Sequence, residues 1–169
     1  PFMVRLPPKL FPSFKPGRTA AFVENVDLYP TLSELAMSLP MERCPADANA
    51  SRKVETCTEG LSFAPVLMSP NTPWKNASFS QYNRLDETVM GYSIRTTGWR
   101  YSRWVKFDKT KSGYAGGAQW NHSFGEELYV HALDNKPCDW TYEAVNVVDD
   151  PQYADVRKEL SQKLIDGWR

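Results

Sequence analysis

Proline placement constrains this chain more than any other feature of its sequence. Eleven of the 13 prolines lie at or before residue 73, and between Asn76 and Asp150 only Pro137 occurs. A prolyl nitrogen has no N–H to donate and a fixed φ, so helix interiors and central strands exclude it. The first 75 residues are therefore cut into short pieces, and any continuous sheet must lie after them. The balance of charge narrows the partners. Lys+Arg and Asp+Glu are both 20, so the formal net charge is zero, and bulk attraction to nucleic acid is excluded. With 41% hydrophobic and 24% charged residues the composition is globular, and no apolar run approaches the ~20 residues of a membrane span.

The pieces can be read one by one. Phe2-Met3-Val4 reads as a strand, and Pro7, Pro8, Pro12 and Pro16 make residues 7–19 a loop. Val26, Tyr29, Leu32, Leu35 and Ala36 share one helical face. Asn25 or Asp27 can cap that helix, and Pro30 is tolerable only in its first turn. Residues 37–77 read as an irregular linker whose end is packed by Leu61 and Phe63.

From residue 78 the composition turns β-branched and aromatic, predicting strands at 79–82, 89–96, 99–107 and 126–133. Met90, Tyr92 and Ile94 alternate with Gly91, Ser93 and Arg95, while Tyr101, Arg103 and Val105 alternate with Ser102, Trp104 and Lys106. Thr97-Gly98 supplies a tight turn between the central pair. A helix follows, capped by Asp149 or Asp150 with Pro151 in its first position, and Tyr153, Val156, Leu160, Leu164 and Trp168 form one apolar stripe. The expected class is α+β, a four-stranded antiparallel sheet covered by a C-terminal helix.

Three N-x-[ST] sequons occur, at Asn49, Asn76 and Asn121, in polar, turn-rich surroundings. No initiator Met or signal-peptide pattern precedes them, so their use would make the chain a piece of a longer secretory precursor. Three cysteines are an odd number. Cys44 and Cys57 bracket a polar loop, where a disulfide would contribute ~3 kcal/mol on the loop-entropy view. Cys138 is left either unpaired or bonded to sequence outside this chain. Two histidines and no C-x-x-C pair do not complete a zinc site.

Several strings, in order, resemble the C-terminal part of the sulfatase family. They are Val26-Asp27-Leu28-Tyr29-Pro30-Thr31-Leu32, Glu59 to Leu67, Met90 to Thr96 followed by Trp99 to Val105, Glu127-Leu128-Tyr129, and Val145 to Pro151. Ser80-Gln81-Tyr82 with Met90 to Thr96 is similar to the branch that removes 2-O-sulfate from uronic acids of glycosaminoglycans. The resemblance implies a sulfuric ester hydrolase, lysosomal or secreted, with an alkaline-phosphatase-like α/β catalytic domain. Residues 1–36 would be the tail end of that domain, 37–77 a linker and 78–169 the smaller C-terminal subdomain. It implies a formylglycine nucleophile made from a C-x-P-S-R motif and a calcium ion held by carboxylates. Neither motif is present here, so no catalytic or metal residue is carried over, and the chain alone is expected to be inactive. Its expected partners are the N-terminal catalytic domain, or a heavy chain produced by processing, and a sulfated glycosaminoglycan.

Candidate substrate contacts are Tyr82 and Arg84, read as a loop after the first strand, and His122, read in a loop from 116 to 125. Arginine binds carboxylate or sulfate bidentately. The plainer roles are a structural salt bridge for Arg84 and a solvated loop position for His122. Trp104 is expected in the sheet core, and Trp120 is left open. The segment before Met90, which in that branch carries a basic substrate contact, is short here, and no such contact can be placed. Two other readings compete: a secreted glycan-binding or matrix module that kept only the sulfatase tail, and the tail of a related phosphodiester or phosphonate hydrolase.

Overall fold

The computed structural model describes residues 2–37, 39–111, 117–131 and 143–167. They form two compact units, Pro1–Lys75 and Asn76–Arg169.

In the first unit, a 3₁₀ turn at Asn25–Asp27 leads into helix α1 (Leu28–Met37), and two short helices follow, α2 (Ala48–Ser51) and α3 (Ala64–Met68). Phe2 to Val4 form no strand, and Met3 is 90% exposed. Extended backbone needs a neighbouring strand for its N–H and C=O groups, and none runs beside it among the described residues. The N-cap is Glu24, not Asn25 or Asp27. Asp27 instead closes a capping box, its carboxylate accepting from Glu24 N at 2.9 Å. Pro30 falls in the first turn of α1, as its chemistry requires, and has no N–H for the Val26 carbonyl. Gly60 packs against that carbonyl, where a Cβ would come within 1.9 Å of its oxygen.

The apolar periodicity of α1 is real, but the stripe points outward. Val26, Tyr29 and Leu32 are more than half exposed, while Asp27, Pro30 and Thr31 are buried. The reason is what α1 docks on. Residues 58–75 present backbone donors and one lysine rather than an apolar sheet. Phe63 N donates to Thr31 Oγ1 at 2.9 Å and Leu61 N to Asp27 Oδ1 at 2.8 Å. Lys75 Nζ lies 2.7 Å from both Glu24 Oε2 and Asp27 Oδ1. Cys44 and Cys57 are joined in a disulfide that encloses α2.

The second unit is an antiparallel meander in the order β1 (Ala77–Arg84), β2 (Val89–Thr96), β3 (Trp99–Phe107), β4 (Ala118–Val130), followed by helix α4 (Ala154–Gly167). The predicted bounds of β2 and β3 match those observed. Met90, Tyr92, Ile94, Tyr101, Val105 and Leu128 line one sheet face, and Leu160 and Leu164 of α4 complete the core with Val148. Asp150 is the helix cap, accepting from Gln152 N at 2.9 Å, and Pro151 opens the turn into α4. Trp168 lies outside the described residues. No helix among the described residues is long and apolar enough to cross a membrane.

β4 begins eight residues earlier than predicted, and its register breaks. Lys106 opposes Gln119 while Val105 opposes Ser123, so residues 120–122 bulge. The bulge turns Trp120 onto the core, where its ring lies 4.8 Å from Tyr92. The β1–β2 connection is tight: Leu85, Asp86 and Glu87 all take left-handed φ, at 49°, 53° and 67°. For residues with a Cβ each costs roughly 1–2 kcal/mol.

A polar cluster lies between sheet and α4. Arg157 Nε donates to Glu126 Oε2 at 2.8 Å, Arg103 Nε lies 3.5 Å from Glu126 Oε1, and Arg103 Nη1 donates to Ser161 Oγ at 3.4 Å. Burial alone would raise the Glu126 carboxyl. The hydrogen bond from Arg157 and the charges of Arg157 and Arg103 outweigh it and hold the group below the usual glutamate range. Burial pushes the Tyr101 phenol up to about 12.

Candidate functional site

The sheet face opposite the core carries the chemistry. Alternation puts Ser80, Tyr82 and Arg84 of β1 on it, and pairing aligns Tyr82 with Gly91 and Gly91 with Trp104, while Arg84 aligns with Val89 and Val89 with Lys106. Tyr82 and Arg84 thus belong to β1 itself, not to a loop after it, because the hydrogen-bonded ladder runs to Arg84↔Val89. Trp104 is likewise not a core residue. It shares the parity of Ser102 and Lys106, and the indole lies across Gly91, where a Cβ would meet its Cζ3 at 2.6 Å. Without a side chain at 91, the ring reaches toward β1, and the Arg84 guanidinium stacks over it 4.7 Å from the ring centroid.

From Trp104 a series of contacts crosses the face. Trp104 Nε1 donates to Glu127 Oε1 at 3.2 Å, and the Tyr129 hydroxyl to Glu127 Oε2 at 3.4 Å. Arg100 lies over the Tyr129 ring at 5.4 Å and pairs with Glu143 at 2.5 Å. His131 Nε2 is 2.7 Å from the other Glu143 oxygen. Burial, then the neighbouring Glu127 charge, raises the Tyr129 phenol, so it remains a donor at neutral pH. Each carboxylate is thus committed to two partners. Among the described residues the salt bridge considered for Arg84 does not form, and its only polar or ring contact there is the indole. Tyr82, 66% exposed, also borders a shallow depression of about 420 Å³ lined by Gln81, Asn83, Glu87, Met90 and Phe107.

His122 lies in β4, within the bulge rather than in a loop, and its ring is 5.1 Å from that of Phe124. No hydrogen bond, ion pair or ring contact links it to Tyr82 or Arg84. His131 and Glu143 carry no sequence signal: they are twelve positions apart in a stretch with no motif, and only the end of β4 brings them together. Asn49, Asn76 and Asn121 are all exposed, in α2, just before β1 and in β4. Cys138 falls outside the described residues. No group of three His, Cys, Asp or Glu side chains among the described residues is placed to hold a metal ion. The calcium implied by the sulfatase resemblance therefore finds no fitting ligand set among the described residues.

In sequence the chain has a sulfatase-like portion. It is 36% identical to iduronate 2-sulfatase of Homo sapiens over a stretch covering 56% of this chain, and 37% identical to iduronate 2-sulfatase of Mus musculus over 55%. The chain spans about a fifth of the length of these curated relatives, 21% and 20%. No protein-family model matches it.

Proposed function

We propose that this chain is the C-terminal portion of a sulfuric ester hydrolase that removes 2-O-sulfate from uronic acids of glycosaminoglycans, and that it works joined to a catalytic domain encoded upstream. The observation that carries this reading is the 36% identity to iduronate 2-sulfatase. In this reading the formylglycine nucleophile and the calcium site lie upstream. Residues 1–36 are the end of the α/β catalytic domain, 37–77 connect it, and 78–169 are the smaller subdomain. The exposed Val26, Tyr29 and Leu32 stripe supports the first assignment, since an apolar helix face of this kind suits contact with further protein. Tyr82 and Arg84, and separately His122, are the proposed substrate contacts. Asn49, Asn76 and Asn121 carry glycans, and the protein is lysosomal or secreted.

A second reading, a secreted glycan-binding module without catalysis, is favoured by one observation: Arg84 is exposed on an indole and has no acidic partner among the described residues. The two separate on the upstream coding sequence and one assay. The chain extended upstream should contain a C-x-P-S-R motif and hydrolyse a 2-O-sulfated iduronide, while residues 1–169 alone should not. An upstream region without that motif, or an extended chain that leaves the ester intact, would overturn the hydrolase reading.

A further inference from the structure

We infer that the free edge of β1 takes a second copy of this chain, whose own β1 runs antiparallel to it, so that two sheets join into one of eight strands. The pairing is centred on Tyr82 and needs neither catalysis nor an upstream domain.

A sheet in the order β1-β2-β3-β4 has two edges, and the chain finishes them differently. Each edge strand turns half of its N–H and C=O groups away from its neighbour. On β4 such groups are taken up within the chain. Leu128 N donates to Asn146 Oδ1 at 2.8 Å, Asn146 Nδ2 donates to the Glu126 carbonyl at 3.2 Å, and Val147 N donates to the Leu128 carbonyl at 2.9 Å. The earlier part of β4 is interrupted by the bulge at 120–122. β1 has neither device. Its register runs unbroken from Ala77↔Thr96 to Arg84↔Val89. Among the described residues no hydrogen bond reaches the outward backbone groups of Ser80 to Arg84, and all five residues are exposed. Natural edges are usually blunted by charge, proline or a bulge. Residues 77–83 hold no charged residue, no proline and no glycine.

The strand is complementary to itself. Opposed residues of an antiparallel pair share a face, so a two-fold axis through Tyr82 sets Gln81 opposite Asn83 of the second copy and Ser80 opposite Arg84 of the second copy. That register uses the exposed half of β1 and leaves the half-buried residues 77–79 outside it. A primary amide donates and accepts at once, so Gln81 and Asn83 suit each other in both directions. Both border the shallow depression beside the edge, which leaves the facing amides room. Charge selects the orientation. Arg84 has no acidic partner among the described residues, and a parallel copy would bring a second Arg84 beside it. In the antiparallel pair the two arginines stand about 14 Å apart along the strands. Leu85, 74% exposed in the turn after β1, comes opposite the position of Phe79 of the second copy, so an exposed aliphatic residue gains a neighbour at each end of the seam. Strand addition lengthens the outer face of the sheet without covering it, and Tyr82 and Arg84 stay accessible there.

The test is sedimentation velocity of the full 169-residue chain over a range of concentrations, in a Cys138→Ser background that removes intermolecular disulfides through that thiol. The chain should shift from monomer to dimer as concentration rises. Tyr82→Lys sets like charges opposite each other at the axis and should weaken association at least tenfold. Ser80 reports the register, because it faces Arg84 of the second copy. Ser80→Glu should tighten the dimer several-fold and Ser80→Lys should loosen it several-fold, whereas a simple loss of strand stability would move both in one direction. Circular dichroism should show all three variants folded as the parent, since both positions are exposed. Amide exchange at 80–84 should slow as concentration rises. A parent chain that stays monomeric up to about 1 mM would overturn the inference. So would Ser80→Glu and Ser80→Lys shifting association the same way. Full protection of 80–84 in the dilute monomer would assign the edge to a segment of the same chain, and the second copy would be the wrong occupant.

Discussion

Among the described residues, the largest fully buried side chains divide cleanly between the two units. Tyr101, Ile94, Leu128, Leu164 and Val105 belong to residues 76–169, while residues 1–75 contribute Asp27 and Thr31. One unit is closed by an apolar layer between a sheet and a helix, and its stabilisation is non-directional and proportional to area. The other is closed at its centre by directional contacts, Asp27 with Lys75 and with the Leu61 and Glu24 N–H groups, while its helix leaves Tyr29 and Leu32 exposed. An amphipathic pattern therefore reports that a helix forms, and the neighbour it meets settles which face is covered. Unit 76–169 should be sensitive to lost methylene groups, and unit 1–75 to lost charges and donors.

The largest effect should come from Leu164→Ala. The side chain is fully buried, so the loss should be ~2–5 kcal/mol, read by denaturant unfolding and by faster amide exchange in β2, β3 and α4. A loss below ~1 kcal/mol would mean that the layer between sheet and helix does not hold that unit. Asp27→Ala comes next. Removing a buried carboxylate whose cation stays behind costs ~3–5 kcal/mol in general. The lower end is expected here, because Lys75 keeps Glu24 as a partner and is 19% exposed. Faster exchange should appear across 24–37 and 58–75, and a Leu32→Ala control on the exposed stripe should change little. If Leu32→Ala costs as much as Asp27→Ala, the contrast between the units fails.

Acid sharpens the comparison further. The Glu126 carboxyl is held below its ordinary value of 4.5, so its stabilising effect is fully present above that pH. It is lost as pH falls through the lower folded-state value. Melting of unit 76–169 should therefore drop below pH 4.5, and Glu126→Gln should lower stability at neutral pH and flatten that part of the profile. An unchanged acid limb in Glu126→Gln would assign the dependence to other groups. The smallest effect should be Asp150→Ala, about 1 kcal/mol for a lost cap, seen as faster exchange in the first turn of α4.

Much of unit 76–169 was legible because its signals are local. Strict alternation in 89–96 and 99–107 around Thr97-Gly98 specifies a hairpin, and Asp150-Pro151 with steps of three and four specifies a capped amphipathic helix. The start of β4 was not legible, because 118–125 is polar and glycine-containing and is a strand only through pairing with β3. Trp104 was misplaced and Trp120 could not be placed, for related reasons. Trp120 reaches the core through a bulge, and Trp104 leaves it because Gly91, on the neighbouring strand, provides a trough on the other face. Tyr82 and Arg84 could be singled out by residue type and position. Their surroundings could not, since Trp104, Glu127, Tyr129, Arg100, Glu143 and His131 meet only after four strands are laid side by side.

The sequence by itself determined where regular structure is allowed, through proline's missing donor, and which period each allowed stretch follows, through the spacing of apolar side chains. It also determined the hairpin turn, the helix cap and the closeness of Cys44 to Cys57 along the chain. Those depend on a residue and a few neighbours, whose steric limits act in any context. Tertiary structure alone decided which face of α1 is covered, on which side of the sheet Trp104 and Trp120 lie, and that Arg84 rests on an indole with no acidic partner among the described residues. Each of those outcomes depends on contacts between segments far apart in sequence, and a side chain's burial or charge compensation is a property of what packs against it.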